Sequence, residues 1–343
     1  MIAWLVLPLA FAASFALTGA LRKYAIHRSL IDIPNARSSH AVPTPRGGGV
    51  AIVSVVAVAV LWSVMAGSDK PAMAGAVLVS GVAVALLGFA DDHGHIAAGW
   101  RLLGHFLAAG LAVFWLGGLP VLPALGVSLD LGWFGQLFAL LFMVWMLNLY
   151  NFMDGIDGIA SIEAICVCAG GMLCHAAAVR AAGADASVVL AGVMIAAVAG
   201  FACWNFPRAR IFMGDAGSGF IGFTLAVFAL DAAWDSPRLL WSWLILLGVF
   251  IVDATFTLLR RLLRGEAIYQ AHRSHAYQVA ARRMGKHAPV TGLVAAINLC
   301  WLLPWALAVA YAWIDGVVAL AVGYAPLVGL CLWLRAGTAE PAA

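Results

Sequence analysis

Carboxylates and amides cluster in the stretch NLYNFMDGIDGIA at 148–160, at the end of a long apolar run. Asp154 and Asp157 are three residues apart, a spacing that puts two side chains on one face of a helix. Gly155 and Gly158 leave the backbone beside each carboxylate uncovered, so a ligand can approach closely. Charged groups at the edge of a membrane-type segment are costly and usually serve a function. The stretch therefore indicates a binding or catalytic site, and a polar loop with a helix-capping aspartate is the plain alternative.

Two further motifs place carboxylates at the ends of apolar runs. Asp91 and Asp92 end the third run, and adjacent helical side chains diverge by about 100°, so one can face a metal while the other faces a second ligand. Asp215 lies between glycines in FMGDAGSG, where a helix start offers free N–H groups and a positive dipole end that suit phosphate. Phe212, nearby, is a candidate stacking surface for a base. The alternatives are a solvated helix end and a simple N-cap.

Five carboxylates are thus expected at one membrane face, where they repel one another unless cations compensate. Mg²⁺ prefers oxygen ligands and binds through one or two carboxylates plus substrate phosphates. Zinc fits poorly, because no set of His or Cys accompanies the acids. The pattern indicates phosphate chemistry assisted by Mg²⁺, with Mn²⁺ as the alternative ion.

Basic residues gather in two other segments. The loop 260–290 contains seven Lys and Arg and also His272 and His275, and Arg46 precedes three glycines in PTPRGGG. Basic groups opposite an acid–metal cluster would bind a diphosphate, and Arg46 could reach a phosphate or a carboxylate. The alternative is that these charges only set the membrane topology. His105 is interpreted as an ordinary helix histidine.

Composition indicates an all-α polytopic membrane protein with one integral-membrane domain over residues 1–343. The chain is 64% hydrophobic and 10% charged, with a mean hydropathy of +0.99, whereas soluble domains carry about 25% charged residues. Its partners should include membrane lipid, and no nucleic acid is expected. A homodimer is compatible with the sequence.

Eleven stretches approach the roughly 20 apolar residues that a spanning helix needs. With the N-terminus outside and the C-terminus cytoplasmic, 16 of the 19 Lys and Arg face the cytoplasm, as the positive-inside rule requires. All five acidic positions then share the cytoplasmic face, and VLPALGVSLDL predicts a short strand or hairpin on the outer face. The predicted spans are 2–21, 47–66, 72–90, 101–118, 132–150, 159–180, 187–205, 216–233, 239–260, 290–313 and 317–335.

The motifs in series resemble the polyprenyl-phosphate N-acetylhexosamine-1-phosphate transferase superfamily, glycosyltransferase family 4. The resemblance covers almost the whole chain, with the motifs in the expected order. Many members have further histidines where this chain reads Ala276, Tyr277 and Gln278, so it looks more like the O-antigen-initiating branch than the phospho-MurNAc-pentapeptide translocase branch. The matching segments are PRGGG (45–49), DD (91–92), NLYNFMDGIDGIAS (148–161), NFPRARIFMGDAGS (205–218) and HRSH (272–275).

The resemblance implies a role for each matching residue. Asp91 and Asp92 match the paired acids, one of which is proposed to deprotonate the lipid phosphate. Asp215 matches the Mg²⁺-coordinating acid, and Asp92 is a second candidate ligand. His275 and Arg273 match a loop that meets the diphosphate, with His275 as a candidate catalytic group. The residues that match the nucleotide-sugar pocket are Asn151, Asp154, Asp157, Asn205 and, as a stacking position, Phe212.

The activity implied is transfer of a sugar 1-phosphate from a UDP-N-acetylhexosamine, of the GlcNAc, QuiNAc or FucNAc type, to undecaprenyl phosphate. UMP would be released at the cytoplasmic side of the bacterial inner membrane, and the product would start O-antigen (lipopolysaccharide) or another surface glycan. Phospho-MurNAc-pentapeptide transfer is the alternative activity. A secondary transporter is the alternative class, although transporter acids lie near the bilayer midplane between related halves, and no such repeat is visible here.

Overall fold

The computed structural model describes residues 2–34, 42–68, 70–94, 96–179, 186–266 and 272–338. Across these ranges the chain is almost entirely helical, which confirms the predicted all-α class. The helices, in chain order, are α1 (Ile2–His27), α2 (Val50–Met65), α3 (Pro71–His93), α4 (Ala98–Leu116), α5 (Gly132–Met153), α6 (Ile159–Ala178), α7 (Ala186–Asn205), α8 (Asp215–Asp235), α9 (Arg238–Leu246), α10 (Gly248–Leu263), α11 (Ala276–Met284), α12 (Ala288–Ala310) and α13 (Gly316–Trp333).

The eleven predicted spans all correspond to helices, but two of them are irregular. Among the described residues, nine helices are long and apolar enough to cross a membrane, which makes this a multi-pass membrane protein. The predicted span 239–260 is a pair, α9 and α10, bent by 69°. The bend falls just before Gly248, where a Cβ atom would lie 2.9 Å from the Tyr324 ring. Helix α2 has 16 residues, slightly fewer than the roughly 17 that a span needs.

Helix α8 runs through the centre of the bundle, and its apolar stretch is buried throughout. Glycines let its neighbours approach it closely: a Cβ atom at Gly88 of α3 would lie 2.6 Å from the backbone of Asp215 and Ala216. On another side, a Cβ atom at Gly222 would lie 2.6 Å from the carbonyl of Met146 in α5. Small residues allow such close packing between membrane helices. The N-terminus of α8 is thereby held against the end of α3.

Two short antiparallel hairpins connect helices. Strands β3 (Leu122–Ala124) and β4 (Val127–Leu129) pair between α4 and α5, which confirms the predicted hairpin. Strands β1 (Ile31–Asp32) and β2 (Thr44–Pro45) pair between α1 and α2, and this hairpin was not predicted. It sets the position of the PRGGG motif, which follows directly.

Candidate active site

The PRGGG motif lies against the FMGD motif through backbone hydrogen bonds. Gly48 N donates to Phe212 O and Gly49 N to Met213 O, each at 2.9 Å. A Cβ atom at Gly49 would overlap the Cα atom of Gly217 in α8. The glycines are therefore needed for packing, and they bring both motifs to the N-terminus of α8.

Arg101, at the start of α4, joins two of the predicted acids. Its Nη1 atom donates to Asp91 Oδ2 and lies 3.3 Å from Asp215 Oδ2. The other oxygen of Asp91 accepts a hydrogen bond from Ile96 N at 2.8 Å. Asp91, at the end of α3, and Asp215, at the start of α8, are thus brought to one point by a shared cation.

Asp92 points to a different partner, as the predicted divergence of adjacent side chains requires. Its carboxylate is buried, with Oδ1 3.9 Å from Arg46 Nη1 and Oδ2 3.4 Å from Ala216 N of α8. Arg46 also donates to the backbone carbonyl of Asp92. The Arg46 side chain is 42% exposed, so it faces the open side of the site.

The loop 154–158 brings two more carboxylates to the same end of the bundle. Burial raises the pKa of Asp154 to about 7, and the negative charges of Asp215, Asp157 and Asp92 contribute to that rise. Asn151, one turn earlier in α5, donates to Ser218 Oγ at 3.2 Å and lies beside Asp215. The structure therefore brings all five predicted acids together at one end of the bundle.

Two predicted pocket residues have neighbours that hold the loops in place. Asn205 is buried, its Oδ1 accepting from Gly158 N at 2.9 Å and its Nδ2 donating to Ile211 O at 3.0 Å. It therefore bridges the 154–158 loop to the FMGD motif, and its direct contact with a substrate stays a prediction. Asp157 lies with Oδ1 3.2 Å from His287 Nδ1.

The HRSH segment leads into α11. His275 is 2% exposed, and its Nδ1 lies 3.3 Å from Asp253 Oδ1. Burial lowers the pKa of His272 to about 3, so His272 adds no positive charge near neutral pH. Arg273 accepts a hydrogen bond from Arg282 Nη1 through its backbone carbonyl, at 2.7 Å. The structure thus pairs His275 with Asp253, outside the set of five acids, and its catalytic role stays a prediction.

The sequence interpretation missed Arg101 and His105 as site residues. Both line a small cavity with Asn148, Asn151 and Asp215. Arg101 Nε and His105 Nδ1 are buried without a hydrogen-bond partner among the described residues. The signal was available, because a charge at the edge of an apolar run is as costly for arginine as for the acids.

The donor set suits Mg²⁺ only if the substrate supplies further ligands. Within the part of the chain that the structure describes, no group of three or more His, Cys, Asp or Glu side chains could hold a metal by itself. Asp92 and Asp215 both lie at the N-terminus of α8, one beside Ala216 N and one at the first helical position. Two carboxylates completed by phosphate oxygens are the kind of site that Mg²⁺ uses. These two residues would hold the ion.

Comparison with known proteins identifies the family of the chain. The sequence profile of glycosyl transferase family 4 matches residues 74–233. A probable undecaprenyl-phosphate N-acetylglucosaminyl 1-phosphate transferase of Bacillus subtilis is 31% identical over 268 residues, which are 76% of this chain and 72% of the relative. A decaprenyl-phosphate N-acetylglucosaminephosphotransferase of Mycolicibacterium smegmatis is 32% identical over 285 residues, 71% and 65% of the two chains.

A phospho-N-acetylmuramoyl-pentapeptide-transferase of Streptococcus pyogenes is also similar, with 28% identity over 245 residues, 67% of this chain and 69% of the relative. The profile match includes all five acidic positions, since the two at the end of α3, the two in the 154–158 loop and the one at the start of α8 all lie between residues 74 and 233. The chain therefore belongs to glycosyl transferase family 4, the superfamily of polyprenyl-phosphate N-acetylhexosamine-1-phosphate transferases.

Proposed function

We propose that this protein transfers a sugar 1-phosphate from a UDP-N-acetylhexosamine to undecaprenyl phosphate and releases UMP. One observation carries the proposal: carboxylates from three distant parts of the chain meet two arginines at one end of the bundle. Such an arrangement suits a diphosphate that arrives with a divalent cation. The residues that meet are Asp91, Asp92, Asp154, Asp157, Asp215, Arg46 and Arg101.

Two of the relatives described above are named for N-acetylglucosamine transfer to a polyprenyl phosphate. UDP-GlcNAc is therefore the first donor to test, with UDP-QuiNAc and UDP-FucNAc next. The reaction would take place on the cytoplasmic side of the bacterial inner membrane, where both the nucleotide sugar and the lipid phosphate are accessible. Its product would start O-antigen or another surface glycan.

The metal and the acids would have different roles in the reaction. Mg²⁺, held by Asp215 and Asp92, would neutralise the donor diphosphate and the charge that develops on departing UMP. Asp91 or Asp92 would take the proton of the lipid phosphate, which then attacks the sugar-bearing phosphorus and displaces UMP. Alternatively, one carboxylate would attack that phosphorus itself, displace UMP and carry the sugar phosphate until the lipid phosphate attacks and frees the carboxylate. An aspartate carrying the sugar phosphate, trapped with donor alone, would distinguish the second route.

The other site residues would bind and orient the substrates. Arg46, partly exposed beside Asp92, and Arg101, which bridges two acids, are placed to contact phosphate oxygens. Phe212 would stack on the uracil ring, and Arg273 would approach the diphosphate from the HRSH segment. Asn151, Asp154 and Asp157 would line the pocket for the nucleotide sugar.

The test is release of UMP by purified protein in detergent. Undecaprenyl phosphate, Mg²⁺ and each UDP-sugar in turn are supplied, with UDP-MurNAc-pentapeptide as the alternative donor that the Streptococcus pyogenes relative suggests. We expect UMP and a lipid-linked sugar diphosphate with an N-acetylhexosamine donor, and loss of both with EDTA. Absence of UMP with every donor, combined with flux of sugar into sealed vesicles, would contradict the transferase and favour a transporter.

A further inference from the structure

The loop 154–158 is held by side chains from distant parts of the chain. Tyr277 Oη donates to Phe152 O at 3.0 Å, just before the loop. Thr291 Oγ1 donates to Asp157 O at 2.9 Å, and His287 Nδ1 lies 3.2 Å from Asp157 Oδ1. Because the loop connects α5 to α6 without regular structure, these contacts supply much of what fixes its conformation.

Helix α11 packs directly against the loop. A Cβ atom at Gly155 would overlap Tyr277 Oη and lie 3.2 Å from Gln278 Nε2. The start of α11 is in turn fixed to α10, since Asp253 accepts hydrogen bonds from Ala276 N at 2.8 Å and Tyr277 N at 2.9 Å. A continuous series of contacts therefore runs from α10 through α11 to the loop.

Helix α12 supplies the second support, from its first turn. His287 Nδ1 lies 3.4 Å from Asp157 N as well as 3.2 Å from Asp157 Oδ1, so the imidazole contacts both the backbone and the carboxylate. The Asp157 and His287 side chains are 15% and 19% exposed, which limits competition from water. Thr291, one turn later, binds the carbonyl of the same residue.

We propose that Tyr277, His287 and Thr291 are positioning residues that hold the 154–158 loop in the conformation that binds the UDP-sugar. The proposal rests on the proposed function, because the loop bears Asp154 and Asp157. It also gives a use to Tyr277, which stands where many family members have a histidine. None of the three side chains needs to touch the substrate.

The first experiment measures the loop itself and needs no activity. Hydrogen–deuterium exchange of a peptide covering residues 153–158 is compared between the wild-type protein and Tyr277→Phe, which removes one hydroxyl. The matched control is Tyr324→Phe, because Tyr324 Oη also donates to a backbone carbonyl, that of Leu244, in another region. Loss of one hydrogen bond should speed exchange about fivefold in Tyr277→Phe, with no change of this peptide in Tyr324→Phe.

Conservative pairs make the test specific. His287→Asn keeps a polar atom at the place of Nδ1 and should leave loop exchange near the wild-type rate, whereas His287→Gln moves its amide to the place of Nε2 and should speed exchange. Thr291→Ser keeps the hydroxyl and Thr291→Val removes it. Wild-type exchange in Tyr277→Phe, His287→Gln and Thr291→Val would overturn the proposal. If one variant does not fold, the other two decide.

The second experiment is kinetic. Tyr277→Phe, His287→Gln and Thr291→Val should each raise KM for the UDP-sugar about fivefold, while KM for undecaprenyl phosphate and the Tm stay near wild type. An equal rise in both KM values, or a change in kcat alone, would contradict positioning of the donor loop. If wild-type protein transfers no sugar phosphate, the proposed function fails, but the exchange experiment still tests the loop contacts.

Discussion

The two ends of helix α8 carry acidic residues in different surroundings. At the C-terminal end, Asp231 and Asp235 lie 3.2 Å and 2.5 Å from Lys70 Nζ, and His175 Nδ1 is 4.0 Å from Asp235. At the N-terminal end, Asp215 shares Arg101 with Asp91 and acts on Asp154, which is also influenced by the charges of Asp92 and Asp157. The C-terminal end of α8 thus carries two acids that are compensated by Lys70, whereas its N-terminal end lies in an acid-rich cluster.

The difference separates a structural site from a candidate functional one. Carboxylates at a helix C-terminus oppose the negative end of the dipole, so Asp231 and Asp235 need the nearby lysine. At the N-terminus the dipole favours an anion, and among the described residues the basic partners of the five carboxylates there are two arginines and His287. The excess of negative charge is what a cation-bound substrate would compensate, and the predictions below test that interpretation.

The largest expected effect comes from removing one carboxylate charge at the N-terminal end of α8, and the same change at the C-terminal end is the control. Asp215→Asn should lower UMP release about 10³-fold, because it removes a charge that would hold the metal against the phosphates. Asp231→Asn is the matched control, and it should leave turnover within about twofold and lower the Tm by a few degrees. Both variants are assayed for UMP release in saturating Mg²⁺ and for thermal unfolding.

Wild-type turnover in Asp215→Asn would remove the metal role from this residue. An equal loss of activity in Asp231→Asn would mean that the two ends of α8 do not differ in function, and the comparison would fail.

Arg101→Ala should have the next largest effect, about 10²-fold on kcat/KM, because it leaves Asp91 and Asp215 close together without their shared cation. Arg101→Lys should recover part of the loss, since lysine restores the charge without the planar donor group. Lys70→Met at the opposite end should destabilise the protein by about 3 kcal/mol while active protein keeps its kcat. A normal kcat/KM in Arg101→Ala would show that the cation only supports packing.

Arg46→Ala should have a smaller effect, about a tenfold rise in a substrate KM. The Arg46 side chain is 42% exposed and its nitrogen is 3.9 Å from Asp92, so the pair should contribute less than about 1 kcal/mol to folding. A KM that rises without a change in Tm is therefore expected. Unchanged kinetic constants would reduce Arg46 to a topology signal.

Much of the fold could be predicted because the membrane restricts the chain to helices. The positions of the helices at all eleven predicted spans, and the β3–β4 hairpin, follow from apolar runs and turn residues. The bend between α9 and α10 was not predicted, and the close approach of Tyr324, which lies far along the chain, to Gly248 beside the bend could not be seen in the local sequence.

The candidate site was predictable in its acids but less so in its supports. The motifs identified the five carboxylates because each motif lies at one edge of an apolar run. The local sequence could not show that both side-chain amide atoms of Asn205 form hydrogen bonds with backbone groups, nor that His275 pairs with Asp253. Arg101 was visible, but it was counted only as a topology charge, since nothing in the sequence links it to Asp215.

The smallest effect expected is on the pH dependence of stability, to which Asp154 of the acid-rich end contributes. The pKa of Asp154 is raised from 3.8 to about 7 by burial and by its acidic neighbours, so the folded protein keeps a proton that the unfolded chain releases. The resulting stability is complete below about pH 4 and is lost as the pH rises through 7. In EDTA, the Tm should therefore fall by roughly 2 to 5 °C between pH 5 and pH 8.

Asp154→Asn should flatten this dependence, because an amide does not titrate, whereas the exposed Asp130→Asn should leave it unchanged. Mg²⁺ in place of EDTA should also reduce the fall in Tm, since a cation offsets the repulsion among the ionised acids. An Asp154→Asn protein with the wild-type slope would mean that the acids of this cluster are compensated in the folded protein as fully as Asp231 and Asp235 are at the other end of α8.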